Sequence, residues 1–308
     1  MPRMTPDQLY NEYRKGFSGC LWEQHVFDEL IETSKYAYFT DGAKRIKDSG
    51  KGKLSTPYKS VLKFDKHAYI ERQTTGDCVS HATRNGCDLT RAVEIDIKGD
   101  KESWIARGAT EAIYGCRGHG GQGMSCSRAA AFVSKNGGIL VRKNYPGIAD
   151  FSKYNGSMGA RWGTRGLPDN VIDEADNHQI RTVSLIKTVE EARDALANGY
   201  GLSVCSGYGF SNRRDSKGFA RKSGSWAHAM AWTACDDTGG EPAFLVQNSW
   251  GKWNDGGHPE WGPIPDGSFL IHADVAEGML RQNGAYAFSD FNGFPPQKLP
   301  DYGFVDYL

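Results

Sequence analysis

The chain has 308 residues, 37 of them basic and 37 acidic, so its formal net charge is zero. That balance argues against a nucleic-acid binder, and no run of about eighteen apolar residues offers a membrane span. With 38 glycines and 12% aromatic residues, the composition suits a loop-rich fold with aromatic packing rather than a helical bundle.

The first residues, MPRMTPDQLY, hold no apolar signal core, so the expected location is cytoplasmic. Residues 1–55 read as an extension. TPDQLYNEYRKGF predicts a helix with Thr5 as cap and Leu9, Tyr13 and Phe17 on one face. LWEQHVFDELIETSKY predicts a second, with Trp22, Val26, Leu30 and Ile31 at helical spacing, and DGAKRIKDSGKGKLSTP is a basic, glycine-dotted linker. These helices read as a packing arm, with a protein partner as a candidate for what they dock on. An inhibitory propeptide is the alternative. On the arm reading, removing 1–55 leaves activity unchanged. Residues 56–308 form the main domain.

Further along, Val79, Ala82, Gly86, Leu89 and Val93 repeat at helical spacing and predict a helix over 78–95. SCSRAAAFVSKNGG predicts another, stopped by Gly137–Gly138. TVEEARDALANGYG predicts a third, where Thr188 and Glu191 form a capping box. Then GLSVCSGYGF, SWAHAMAWTACDD, AFLVQNSW and GSFLIHAD read as short apolar strands between glycine and polar turns. Helices first and strands second predict an α+β fold with two segregated lobes.

Seven cysteines lie at 20, 78, 87, 116, 126, 205 and 235, with no CxxC pair. An odd number precludes a complete disulfide framework, and reduced thiols are expected. Cys116, His119 and Cys126 share a glycine-rich stretch, but a fourth ligand is not obvious, so neither metal nor cofactor is expected.

Cys78 follows Gly-Asp at a predicted helix start. There the macrodipole and unpaired backbone N–H groups lower a thiol's pKa toward the nucleophilic thiolate. Gln73, five residues earlier, can turn its amide toward the same point, giving a two-donor oxyanion hole with the Cys78 N–H. His228 stands between Ala227 and Ala229 in an apolar strand. Asn248 comes twenty residues later, after a strand and a turn, and its side-chain oxygen can orient the imidazole. Trp250 can cover that bond and keep water out. Taken singly, a buried Cys is ordinarily packing and a buried His a satisfied core residue. Together they form a Cys-His-Asn set.

These residues resemble the papain-like cysteine peptidases. The resemblance rests on QTTGDC at 73–78, AHAMAW at 227–232 and QNSWGKW at 247–253, with the segment 115–146, DGSFLI at 266–271 and the closing GAYAFSDFNGFPP in the family's order. It implies a two-lobed fold, with a helical N-terminal lobe, an antiparallel β-barrel-like C-terminal lobe and an active site in the cleft between them. It also implies hydrolysis of a polypeptide substrate. Cys78 attacks as thiolate, His228 protonates the leaving amine, Asn248 orients His228, and Gln73 with the Cys78 amide holds the oxyanion. A glycine among Gly120, Gly121 and Gly123 bonds the substrate backbone in strand fashion, beside Trp250. Some positions depart from the pattern. The Gln-to-Cys spacing is one residue short, Val79 replaces an aromatic, Thr75 replaces a cysteine that would pair with Cys116, and Asp77 opposes thiolate formation by repulsion. Two other readings stand beside the thiol peptidase. One is a Cys-His hydrolase of peptidoglycan or isopeptide bonds. The other is a catalytically weak or inactive papain-shaped component of a larger assembly, such as a virion.

Overall fold

The computed structural model describes residues 19–20, 44 and 46–291. The helices expected at 5–17 and 21–36 lie outside these residues, as does the tail beyond 291. The described helices are α1 Tyr58–Phe64, α2 Cys78–Val93, α3 Glu111–Gly115, α4 Cys126–Ser134, α5 Gly156–Arg165, α6 Asp169–Asp176, α7 Val189–Ala197 and α8 Ala273–Leu280. The strands are β1 Leu54–Ser55, β2 Asn144–Tyr145, β3 Ala149–Asp150, β4 Ile180–Leu185, β5 Leu202–Arg214, β6 Ala220–Asp236, β7 Ala243–Gln247, β8 Asp255–Gly256, β9 Ser268–Ile271 and β10 Ala285–Phe291.

Helix α2 starts at Cys78, as its apolar spacing predicts, and is buried along its whole length. Its last predicted turn widens instead into a π-helical turn, Glu94–Lys98. Burial demands partners for its polar side chains. Arg84 reaches the Glu71 carboxylate at 2.7 Å and the Gly108 carbonyl at 3.0 Å, and Asp88 accepts from the Gly108 N–H. Against the upward pull of burial, Arg84, Arg107 and Arg142 hold the Glu71 carboxyl well below its ordinary range. The helix packs across β5, β6 and β10. A Cβ on Gly201 would sit 2.1 Å from the Gly86 carbonyl, so the approach of strand to helix leaves no room for a side chain at either residue.

Strands run in the order β4-β10-β5-β6-β7-β9, each antiparallel to its neighbours. The path is open, and this corrects the barrel-like lobe implied by the family resemblance. Strand β6 is 17 residues long and β5 is 13. Register shifts along their pairing bend them. Their far ends then take short partners: β1 adds to β6, and β8 adds parallel to β5. Helices and sheet share a core in which Val79, Ala82, Phe132 and Val133 meet Cys205, Ala229 and Phe288. A second core joins α7 and α8 to Trp226, Trp232, Trp250 and Trp253. Helix α7 carries the predicted Thr188–Glu191 capping box.

The glycine-dotted linker is seated from residue 46 onward. The Asp48 and Gly50 N–H groups donate to the Asp194 carboxylate, and that of Gly52 donates to Asp237. Both carboxylates are buried, so they need donors, and linker backbone supplies them. Among the described residues, no helix is long and apolar enough to cross a membrane.

Candidate active site

Strands β6 and β7 form the hairpin that explains the His228–Asn248 spacing. Ala231 pairs with Gln247, so the register brings Asn248, one residue past the end of β7, opposite Met230, two residues from His228 and on the same face of β6. His228 Nε2 lies 2.8 Å from Asn248 Oδ1. With that oxygen accepting, Nε2 carries the proton and Nδ1 keeps its lone pair. Among the described residues, Nδ1 has no hydrogen-bond partner. Burial pushes the imidazole pKa down to about 4, partly offset by the Asn248 bond, which keeps the ring neutral. Trp250 lies over it, centroids 4.6 Å apart, and Trp226 meets it edge-on at 6.0 Å. Gly251 takes φ +66°, the left-handed turn that lets the Ser-Trp-Gly segment leave the strand.

Cys78 is fully buried at the start of α2. Its Sγ accepts from the backbone N–H of Ala229, the residue after His228. The sequence predicts a depressed thiol pKa, but the structure has the reverse. Burial pushes it up to about 12, and the Asp77 charge adds to the rise, against several backbone N–H bonds to the sulfur. Asp77 does not cap the helix with its side chain. Its Oδ2 accepts from the Tyr154 hydroxyl at 2.9 Å.

The Gln73 backbone N–H donates to the Ser249 carbonyl, the Ser249 hydroxyl bonds Gln73 Oε1 at 2.5 Å, and Nε2 donates to the Thr75 carbonyl at 2.8 Å. Gln73 is therefore locked between the Asn248 turn and the turn before Cys78. Of the three loop glycines, Gly120 and Gly121 are exposed, and the Gly121 carbonyl is taken by Arg117. Gly123 is buried at φ +82°, its N–H on the Tyr114 hydroxyl.

Gly123 faces the extension itself. A Cβ there would lie 2.6 Å from the Gly19 carbonyl. Gly19 donates its N–H to Cys78 Sγ at 3.3 Å and accepts from the Met124 N–H at 2.9 Å, while the Cys20 N–H donates to the Ala227 carbonyl at 3.0 Å. Cys20 runs parallel to Met124 as an isolated bridge. Two residues of the extension thus lie on the candidate nucleophile. No local pattern in SGC signals this, because the contact spans 59 residues.

Two further residues escaped the sequence reading. Gln122 accepts from the Gly76 N–H at 2.7 Å and from Thr75 Oγ1 at 2.9 Å, joining the glycine loop to the turn before Cys78. Trp226 stands two residues before His228, on the same strand face; that alternation was the available signal. Cys126 and Cys205 form a disulfide, Cα atoms 6.4 Å apart, so two of the seven thiols expected to be reduced are bonded. Cys126 is then no partner for Cys116 and His119 in a metal set, and Cys116 remains outside any disulfide.

No family model matches the sequence, and no curated protein matches it. Solved structures do. The chain is similar to proCathepsin B S9 from Trypanosoma congolense, at 12% identity and TM-score 0.52 over 97% of this chain and 91% of that one. It is also similar to the ragweed pollen allergen Amb a 11, a cysteine protease in its proform, at 15% identity and TM-score 0.51 over 93% and 76%. Xylellain, a cysteine protease from Xylella fastidiosa, matches at 15% identity and TM-score 0.47 over 72% and 82%. The fold is that of the papain-like cysteine proteases.

Proposed function

We propose that the chain is a cysteine-type endopeptidase held in a latent state by its own extension. The observation that carries this is the neutral His228, oriented by Asn248 through Nε2 with Nδ1 unbonded, on the strand whose next amide touches Cys78 Sγ. When Cys78 loses its proton to Nδ1, the thiolate attacks a peptide carbonyl. The C–N bond breaks as imidazolium protonates the amine, and water attacks the thioester to release the acid. The Cys78 N–H and Gln73 Nε2 are the oxyanion donors, the latter after leaving the Thr75 carbonyl. The Met124 N–H and Ala227 carbonyl, now holding Gly19 and Cys20, grip an extended substrate backbone between helical and sheet lobes.

Latency follows from the chemistry around the sulfur. With burial pushing the Cys78 thiol up to about 12 and the His228 imidazole down to about 4, the two do not form an ion pair at neutral pH. Burial dominates both shifts, and Gly19 and Cys20 contribute to that burial. The proform state of two neighbours that align over most of this chain supports the same reading. The substrate is polypeptide, and nothing in the site favours a peptidoglycan or isopeptide bond.

A thiol-directed covalent probe tests the reading. After proteolytic removal of residues 1–45, Cys78 is expected to be the fastest-labelled cysteine, and peptide hydrolysis to appear with it. A folded, truncated chain whose Cys78 labels no faster than Cys87, a buried thiol in the same helix, would refute it.

A further inference from the structure

Among the described residues, one group of three potential ligating side chains converges: the sulfurs of Cys20, Cys126 and Cys205 lie within 4.8 Å of one another, all buried. Two of these sulfurs form the disulfide, and the third belongs to the extension. Cys126 opens α4, two residues after Met124, which binds Gly19. Cys205 sits on β5 opposite Ala229, whose amide touches Cys78 Sγ. The disulfide therefore lines the seat that Gly19 and Cys20 occupy.

We infer that this cluster is a thiol–disulfide exchange site, and that exchange fastens the extension covalently over Cys78. This deepens the proposed latency and rests on it for its consequence, although not for its chemistry. Cys20 loses its proton and the thiolate attacks one sulfur of Cys126–Cys205. That S–S bond breaks, a bond from Cys20 forms, and the departing thiolate takes up the proton. No net oxidation occurs, and no outside oxidant is consumed. The product ties residue 20 to α4 or to β5, so the segment beside Cys78 can no longer lift away. An external thiol releases the segment in two displacements: the first leaves a mixed disulfide on one cysteine, and a second thiol frees that cysteine and departs as the external disulfide. Burial and the nearby Cys78 raise the Cys20 thiol pKa, so exchange is slow while the segment is seated and proceeds as it loosens.

The test equilibrates the full chain in a glutathione redox buffer, quenches with acid, alkylates remaining thiols and maps disulfides by mass spectrometry without reduction. The expected result is a Cys20–Cys126 or Cys20–Cys205 peptide beside Cys126–Cys205. Complete alkylation of Cys20 overturns the inference, whether or not Cys126–Cys205 survives. In Cys205→Ser no internal disulfide remains, so glutathione disulfide in the buffer supplies the two-electron oxidation that is expected to join Cys20 to Cys126 by way of a mixed disulfide; failure to do so while folded also overturns it. Cys126→Ser makes the complementary Cys20–Cys205 test should the first variant not fold. For the consequence, the alkylation rate of Cys78 is compared with that in Cys20→Ser. Wild type is expected to be slower in the oxidised buffer, with the difference lost on adding dithiothreitol. A persistent difference, or none at any stage, overturns the fastening. If Cys78 is inert in every form including reduced Cys20→Ser, the peptidase reading fails, while the sulfur map still reports on exchange.

Discussion

Replacing Gly19 with alanine addresses the seated extension without touching the site residues. A Cβ at this position would lie 2.0 Å from the Gly76 carbonyl oxygen, 2.3 Å from its carbon and 2.7 Å from its Cα. All three are backbone atoms, and Gly76 is pinned by its N–H bond to Gln122 at 2.7 Å, so the alanine segment must leave. Leaving forfeits three backbone hydrogen bonds: Gly19 N–H to Cys78 Sγ, Met124 N–H to the Gly19 carbonyl, and Cys20 N–H to the Ala227 carbonyl. At about 1 kcal/mol net each, the seat is weakened by about 3 kcal/mol, or roughly 150-fold in the open-to-seated ratio. Cys78 has no exposed surface when the segment is seated, so it labels only from the open population. Iodoacetamide labelling of Cys78 in reduced protein, followed by peptide mapping, should therefore accelerate by up to about two orders of magnitude in Gly19→Ala. The ceiling is full opening. Equal labelling rates in wild type and variant, with both folded, would show that the segment does not gate the thiol.

Other expectations use the same site. In the opened enzyme, Asn248→Ala should lower turnover by about 10- to 100-fold, the loss of one buried hydrogen bond of about 1–3 kcal/mol. Cys78→Ala should abolish it, because an orienting group can be partly replaced and a nucleophile cannot; steady-state kinetics on one peptide substrate compares them. His228 has a depressed folded pKa, near 4 against an ordinary 6.5. Its contribution to stability is thus present above pH 6.5 and is lost as pH falls toward 4, by at most about 3 kcal/mol. Urea midpoints at pH 7 and pH 5 should show this loss, and His228→Gln should flatten that interval. Gln122→Ala leaves the Gly76 N–H without its carbonyl and should lower stability by about 1–3 kcal/mol, read by thermal unfolding.

The parts of the site legible in the sequence are those set by local periodicity. A helix beginning at Cys78 follows from the spacing of Val79, Ala82 and Leu89. The meeting of His228 with Asn248 follows from a hairpin of known reach. Pairings between distant segments were not legible. Gly19 meets Gly76 and Met124 because glycine leaves space for a second backbone, and a missing Cβ does not announce which chain will fill the gap. The Cys126–Cys205 pair joins residues 79 apart, one of many pairings that seven cysteines allow. The glycines and lysines of residues 41–57 predict only a linker. Its order comes from Asp194 and Asp237, buried carboxylates far along the chain that require N–H donors. The thiol pKa departs from the sequence expectation for a related reason: the helix dipole is visible in sequence, whereas the burial that outweighs it depends on every segment packed over the sulfur.

Two of the three groups that hold Gly19 and Cys20, the Met124 N–H and the Ala227 carbonyl, belong to the main chain. Every amino acid at position 227 supplies that carbonyl, and every one at position 124 except proline supplies that amide. Mutation can therefore reshape side chains around the seat without removing these two bonding groups, except at Gly123, where a Cβ would lie 2.6 Å from the Gly19 carbonyl and intrude on the strand itself. Selectivity among strands can drift over a grip whose bonding groups substitution hardly changes, while the glycines at 19 and 123 keep open the space it needs.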